Sequence, residues 1–389
     1  MGVGRLVWGS GLLVGCVLAG CSAQSLTPNR DGGAPPETVS PGPDAGTDGG
    51  PVVRLVPTSL LTNADLSTAQ VLAADRDGIY WVTLGNQLWM LPTGSSAPIQ
   101  LAVDPSPSSG GDYAACLLVR DDELFWTASI YADDTRSYFR SPLHRTDKTG
   151  GDVVLLPNLS GEPREVTADD NDLYFPGGGL GDGVEIAALP LHALPGATPT
   201  VLSTLGFDVD VYSMAVDDTY LYWTTFPNDS TIQVDEGPVT RADKASLLAG
   251  AGSLSQFIDD DVAAMQAAGG SLFFSYASPG RDAGVGRVDQ NGSRTNLPLP
   301  WGTTLLVLDR WVVTAVPATS VPPGGLIRAV SIGAVVGDGS VAVEIADQVK
   351  ILPVAGGPGG PGLVFVDGSG HLLAVSEQDL GAAVAAGQY

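Results

Sequence analysis

A short acidic turn followed by a strand with paired aromatic residues recurs along this chain. That recurrence restricts the fold more than any other feature. It appears at residues 75–81 (DRDGIYW), 120–126 (RDDELFW), 169–175 (DDNDLYF) and 217–223 (DDTYLYW). Weaker copies stand at residues 268–274, 307–313 and 367–373, and successive copies end 39 to 60 residues apart. A period of about 40 to 50 residues built from short strands is the pattern of propeller blades. One four-stranded sheet cannot cover its own apolar faces, whereas stacking such sheets around a ring buries both faces and leaves only short edges. The expected fold class is therefore all-β: a β-propeller over residues 53–389, with seven blades of four antiparallel strands fitting the length best and six or eight left open. Residues 52–61 (VVRLVPTSLL) are expected to supply an outer strand that closes the ring between the termini, because too few residues follow Leu373 for a whole blade.

Two segments resist this scheme. Residues 348–367 read as the third and fourth strands of one blade, which would shift the last blade's frame, and residues 251–268 fit a helix as well as a strand. At its aromatic strands the chain resembles the TolB-like and YWTD-like propellers, whose second strand often reads Leu-Tyr-Trp-Thr after an Ala-Val-Asp turn. Here Ala215-Val216-Asp217 and Leu221-Tyr222-Trp223-Thr224 match that pattern best. The resemblance covers most of residues 66–315 and implies architecture, with little about function.

The N-terminus carries an address. Arg5 precedes an uncharged apolar stretch over residues 6–19, a length that suits a signal peptide better than a membrane span of about 20 residues. Leu18-Ala19-Gly20-Cys21 then resembles the lipobox of bacterial lipoproteins. That resemblance implies cleavage after residue 20, lipid modification of Cys21 and attachment to the bacterial cell envelope. Ser22 in place of Asp after the cysteine implies delivery to the outer membrane, on either its periplasmic or its surface face. Residues 21–52 are nearly all Ser, Pro, Gly, Asp, Ala and Thr, too poor in apolar surface to offset the entropy of ordering, and read as a disordered tether. Random-coil scaling gives it about 30 Å of reach.

Composition excludes some partners. The chain has 43 acidic and 18 basic residues, a net charge of −25. Losing Arg5 with the signal takes this to −26. Such a surface repels phosphate backbones, so no nucleic-acid binding is expected, and membrane contact must come through lipid on Cys21. With Cys16 removed and Cys21 lipidated, Cys116 is expected to be an unpaired, buried strand residue.

Scaffold roles compete with chemistry at the acidic residues. Asp75, Asp121, Asp169, Asp217, Asp309 and Asp367 recur near the same turn, and each is expected to accept backbone N–H groups in its own turn. Residues 75–78 begin like a calcium loop but run into a strand without an acidic closer, so carboxylate-rich loops offer weak Ca2+ binding at most. His144, His192 and His371 show no zinc-ligand spacing, and the Gly-x-Gly-x-x-Gly at residues 357–362 is filled by Pro358 and Pro361. No catalytic residue, metal ligand or cofactor is assigned. The connections between second and third strands look long and dissimilar, and loops on a rigid scaffold are where binding groups gather. Tyr131, Asp133, Asp134, Arg136, Phe226, Asp229, Asp235, Tyr276, Arg281 and Asp282 are expected to lie exposed there. The sequence thus favours a non-enzymatic domain that binds a protein, peptide or glycan. The alternative is an extracytoplasmic metal-dependent hydrolase or lyase with its site at the channel mouth, which the apolar first strands disfavour.

Overall fold

The computed structural model describes residues 11–17, 20–26, 52–61, 66, 68–83, 85–103, 113–131, 139–140, 143–156, 166–177, 183–206, 209–227, 237–276, 283–302, 304–316, 326–337, 340, 342–346, 349–355 and 362–387. Near the N-terminus, β1 (Gly11–Val17) and β2 (Gly20–Leu26) form an antiparallel hairpin with Val17 opposite Gly20. Strands β3 (Val52–Arg54) and β4 (Thr58–Leu61) come next and join sheets built by the far end of the chain.

The rest is a succession of antiparallel four-strand units. Unit 1 holds β5 (Ala69–Ala74), β6 (Gly78–Thr83), β7 (Gln87–Pro92) and β8 (Ile99–Val103). Unit 2 holds β9 (Tyr113–Arg120), β10 (Glu123–Tyr131), β12 (Leu143–Asp147) and β13 (Val154–Leu155), with the two-residue β11 (Phe139–Arg140) on the end of β10. Unit 3 holds β14 (Thr167–Ala168), β15 (Asp172–Gly177), β16 (Val184–Pro190) and β17 (Thr200–Gly206).

Units 4 and 5 are fused in one seven-stranded sheet: β18 (Val209–Val216), β19 (Tyr220–Pro227), β20 (Gly237–Asp243), β21 (Ser255–Ala268), β22 (Ser271–Tyr276), β23 (Gly284–Asp289) and β24 (Arg294–Leu297). The 14-residue β21 is the fourth strand of one unit and the first of the next. Its early residues pair with β20, and Val262 to Ala268 pair with β22. The ambiguous segment is thus a strand: two open sheet edges outweigh the helix propensity of its Ala-Met-Gln-Ala stretch.

Unit 6 holds β25 (Thr304–Val307), β26 (Trp311–Val316), β27 (Leu326–Ser331) and β28 (Ala342–Ala346), to which β3 adds in parallel. Unit 7 takes β29 (Val349–Ala355), β30 (Leu363–Asp367) and β31 (Leu372–Val375) from the C-terminal end and β4 from the N-terminal end. Residues 348–367 are therefore the first and second strands of the last unit, not the third and fourth. Asp367 stands between second and third strands, unlike its supposed counterparts.

Side-by-side first strands give the fold its propeller character. β5 lies against β9 and β29, β25 against β21 and β29, and β18 against β14 and β21. The second strands are nearly continuous apolar runs, as faces covered on both sides require. β6 (GIYWVT) is buried at every position, and Trp126, Phe175, Trp223 and Phe274 are fully enclosed. Neighbouring units share their cores. One cluster runs through units 1, 2 and 3, another joins Tyr174 of unit 3 to Trp223 of unit 4, and a third joins Tyr222 to Phe274 of unit 5. Others link unit 5 to 6, unit 6 to 7, and unit 7 to unit 1 through Val364, Leu372, Trp81 and Leu72.

Two helices escaped the sequence reading. The five-residue α1 (Lys244–Leu248) starts where Asp243 accepts the Ser246 N–H at 2.8 Å. The 11-residue α2 (Glu377–Gly387) opens with a capping box: Asp379 N–H donates to Ser376 Oγ, and Ser376 N–H and O–H donate to Asp379 Oδ2. It rests against β3 and β28 and buries Leu380.

Candidate functional site

Each recurrent turn is built around an aspartate. Asp75 Oδ1 accepts the N–H groups of Asp77 (2.9 Å) and Gly78 (3.1 Å). Asp169 Oδ1 takes those of Asn171 and Asp172, both at 2.9 Å, and Asp217 Oδ1 takes those of Thr219 (2.7 Å) and Tyr220 (2.6 Å). A tyrosine hydroxyl five residues on then donates to the same carboxylate: Tyr80 to Asp75 (3.2 Å), Tyr174 to Asp169 (2.9 Å) and Tyr222 to Asp217 (2.9 Å). The aspartate holds the turn while the tyrosine ties it to the enclosed second strand. Gly78 is required in the first of these turns, since a Cβ there would lie 2.7 Å from the Leu91 carbonyl oxygen.

The other three aspartates depart from this scheme. Asp121 adopts a positive φ of 50°, so its backbone makes the tight two-residue turn between β9 and β10. Asp309 sits one place late, because Leu308 N–H makes the turn bond to Trp311, and Asp309 N–H donates to Glu377 Oε1 (3.3 Å). Asp367 does accept backbone N–H groups, from Ser369 (2.8 Å) and His371 (2.9 Å), but in the turn from β30 to β31.

Electrostatics follow from these contacts. Burial pushes the hydroxyls of Tyr80, Tyr174 and Tyr222 far above the usual tyrosine value, and the carboxylates they face push them further. Burial also works to raise Asp169. The Lys244 ammonium at 2.5 Å, two backbone N–H groups and the Tyr174 hydroxyl outweigh it and hold that carboxyl below its usual range. Lys148 pairs in the same way with Asp75 and, at 3.3 Å, with Asp77. Lys148 belongs to unit 2 and Lys244 to unit 4, so each lysine crosses to the aspartate turn of the preceding unit.

A second set of ties was missed at the sequence level. Arg145 Nη1 donates to the Leu191 carbonyl (3.2 Å), Arg241 to that of Gln290 (3.3 Å) and Arg287 to that of Ile332 (3.2 Å). Each arginine lies on a third strand and reaches the turn after the third strand of the next unit. The signal was present as a repeated Arg-x-Asp at residues 145–147, 241–243 and 287–289. Arg241 also lies between the Tyr220 and Phe257 rings, at 4.5 and 3.9 Å from their centres.

The proposed binding residues fare unevenly. Asp133, Asp134, Arg136, Asp229, Asp235, Arg281 and Asp282 lie outside the described residues. Tyr131 ends β10, its backbone opposite Phe139, and Phe226 lies on β19 opposite Asp210. Tyr276 corrects the expectation of exposure. β22 extends through it, only 7% of the residue is exposed, and its ring packs on Phe274 and beneath the Arg294 guanidinium. Strand pairing also carries further than expected at Thr224 and Ser275, both buried, whose hydroxyls accept the N–H groups of Ser213 and Gly302.

The histidines are dispersed. His144 is enclosed on β12 and stacks on Trp126 at 5.0 Å. His192 lies just after β16, mostly exposed, with Nδ1 3.0 Å from Glu123. His371 faces Asp367 within its own turn. Among the described residues no group of three His, Cys, Asp or Glu side chains comes together as a metal would need. Cys116, expected as an unpaired thiol, is disulfide-bonded in the full chain. The physical reason is the placement of the N-terminal hairpin: β1 and β2, which carry the other two cysteines, both lie against β9. The hairpin also touches β5, β14, β18 and β29, the first strands of other units.

No protein-family model matches the chain, and no curated protein matches it. Solved structures do. A puromycin hydrolase shares 16% identity over 67% of this chain and 43% of its own, with a TM-score of 0.49. An oligogalacturonate lyase from Vibrio parahaemolyticus shares 11% over 63% of this chain and 73% of its own, at 0.44. The computationally designed Ika8 protein shares 15% over 83% of this chain and 99% of its own, at 0.47. The chain spans about half of the hydrolase's length, and likenesses of this degree carry no argument about activity.

Proposed function

We propose that this chain is an envelope lipoprotein, anchored through Cys21 and held out on the tether of residues 21–52. It presents a seven-bladed, ring-closed propeller that binds a protein, peptide or glycan. The observation that carries the binding reading is the use made of the recurrent carboxylates. Asp75, Asp169 and Asp217 each accept two backbone N–H groups and a tyrosine hydroxyl, and two of them also hold a lysine, so they serve as scaffold. Seven blades are supported by the seven four-strand units among the described residues. Closure is supported by β4 on β31 and by the core that unit 7 shares with unit 1.

Binding falls to the connections between second and third strands, where Tyr131 and Phe226 stand at strand ends. A photo-crosslinking residue at either position, in cells expressing the full chain, should capture one discrete partner that the same residue at the exposed Val201 does not. Equal capture from all three sites would refute the surface. A stoichiometric divalent ion in the purified protein, lost together with hydrolase or lyase activity, would replace binding with the metal-dependent enzyme.

The anchor has its own test. Processing removes residues 1–20 and converts the Cys21 sulfur to a thioether. Mass spectrometry of the mature protein should show a diacylglyceryl group on Cys21. A mature chain that retains residue 16 would exclude the lipoprotein reading.

A further inference from the structure

We infer that the ring has one release point: the N-terminal clasp β3–β4, unit 7 and α2 open together while units 1 to 5 stay folded. This rests on the ring-closed reading proposed above.

Units 1 to 6 are joined by side chains that cross from one unit to the next. Lys148 joins unit 2 to unit 1, and Arg145, Arg120 and His192 join units 2 and 3. Lys244 joins unit 4 to unit 3, and Arg241 and the uninterrupted β21 join units 4 and 5. Units 5 and 6 share Arg287 on Ile332, Gln266 Oε1 accepting the Val307 N–H (2.8 Å), and Ser275 Oγ accepting the Gly302 N–H (2.9 Å).

Unit 7 shares apolar cores with units 6 and 1, but its fourth strand and its outer cover come from the two chain ends. β4 has four residues, pairs at three positions with a register shift among them, and leaves Thr58 and Ser59 exposed. Three-residue β3 runs along β28, where Arg54, itself mostly exposed, meets Glu344 at 2.9 Å and Leu55 N–H reaches the Glu344 carbonyl. Between them Val56 is 90% exposed as the chain crosses from unit 6 to unit 7. α2 closes over β3 and β28, with Leu380 in the core shared by units 6 and 7 and Glu377 reaching Arg310 and Asp309.

Few buried residues thus hold β3, β4 and α2; α2 rests on β3, and β3 leads through the exposed Val56 directly into β4. Release of one loosens the next, which is the condition for a cooperative opening smaller than global unfolding. The tether enters at Val52, so any pull along it acts on this clasp first.

Native-state hydrogen exchange on the full chain tests this. Peptides covering β4, β31 and α2 should exchange together and at least about tenfold faster than β6, β15, β19 and β22. Leu380→Ala should speed exchange in the clasp by a further factor of about 10 or more and leave the other four strands unchanged. Arg54→Ala, a surface change without folding risk, should do the same by about two- to threefold. Equal rates in both regions, or variants that accelerate every strand alike, would overturn the release point. β4 and β31 unprotected from the earliest time in the unaltered chain would instead refute ring closure itself.

Discussion

Units 2 to 5 and unit 7 bury similar apolar strands yet keep their places by different means. Units 2, 4 and 5 each pass an arginine or lysine to a neighbour and unit 3 receives one from either side, so their positions are fixed by groups 45 to 75 residues apart in sequence. Unit 7 has its fourth strand from the opposite end of the chain and its outer cover from a terminal helix. Side-chain ties repeat because the blade repeats. Terminal ties cannot repeat, since a chain has only two ends. Stability distributed over many equivalent contacts therefore meets stability concentrated in one.

The largest effects should come from paired truncations in the two cores. Phe274→Ala in unit 5 and Phe365→Ala in unit 7 each remove a fully enclosed ring and should cost about 3 to 5 kcal/mol locally. In chemical denaturation Phe274→Ala should lower the midpoint of the main transition. Phe365→Ala should split off an earlier transition seen by a probe on α2. A single shared transition in both variants would erase the distinction between the regions. Overpacking comes next. Gly286→Ala would place a Cβ 2.4 Å from the Phe274 ring and should destabilise by about 1 to 3 kcal/mol, measured by thermal melting.

The arginine ties are smaller individually. Arg287→Ala should cost roughly 1 to 2 kcal/mol, and its coupling to Arg241→Ala should be near zero, because the two arginines tie different pairs of units. Strong coupling in a double-mutant cycle would mean that the units respond as one body.

Titration gives the finest comparison. Asp169 has a folded value below its unfolded one, so its contribution is present above the unfolded value and fades as pH falls through the folded value. Asp169→Asn should flatten the acid limb of stability against pH. Tyr80, Tyr174 and Tyr222 carry the opposite sign. Their folded values are raised, so their stabilisation is full below about pH 10 and lost as alkali rises past it. Of the ten tyrosines, these three should gain the ultraviolet signature of phenolate only as the chain unfolds.

Much of the repeating part was legible in the sequence, because each unit writes the same local solution. An aspartate that caps a turn and an aromatic pair that fills the space between sheets can be read without knowing the neighbours. Asp75, Asp169 and Asp217 behave as their pattern implied. Where the solution is not local, the pattern misleads. Asp367 mimics the repeated turn, but its strand is second in its unit, because residues 349–355 take the inner place. The Arg-x-Asp ties have a clear spacing, yet their meaning depends on the next unit's turn being within reach. Capping signals at Asp243 and Ser376 are short and stand beside the stronger strand pattern. Of the candidate binding face, Tyr276 shows the limit. An aromatic at the end of a strand looks like a loop residue until pairing with Val262 and Gly284 carries the strand through it.

The origin of β4 also has a consequence in time. Thr58 to Leu61 are synthesised early, whereas their partners on β31 follow roughly 300 residues later. At about 5 to 20 residues per second this is a wait of about 15 to 60 s during which the strand has no proper neighbour. The pairing closes the longest loop among the described strand pairings and should be among the slowest steps of folding. Pro57 and the two hydroxyls of Thr58 and Ser59 suit such an interval, since a strand edge of that composition recruits wrong partners poorly. The last event in assembly would then wait for the C-terminus to arrive, so a truncated chain would advertise its incompleteness by an end that never docks.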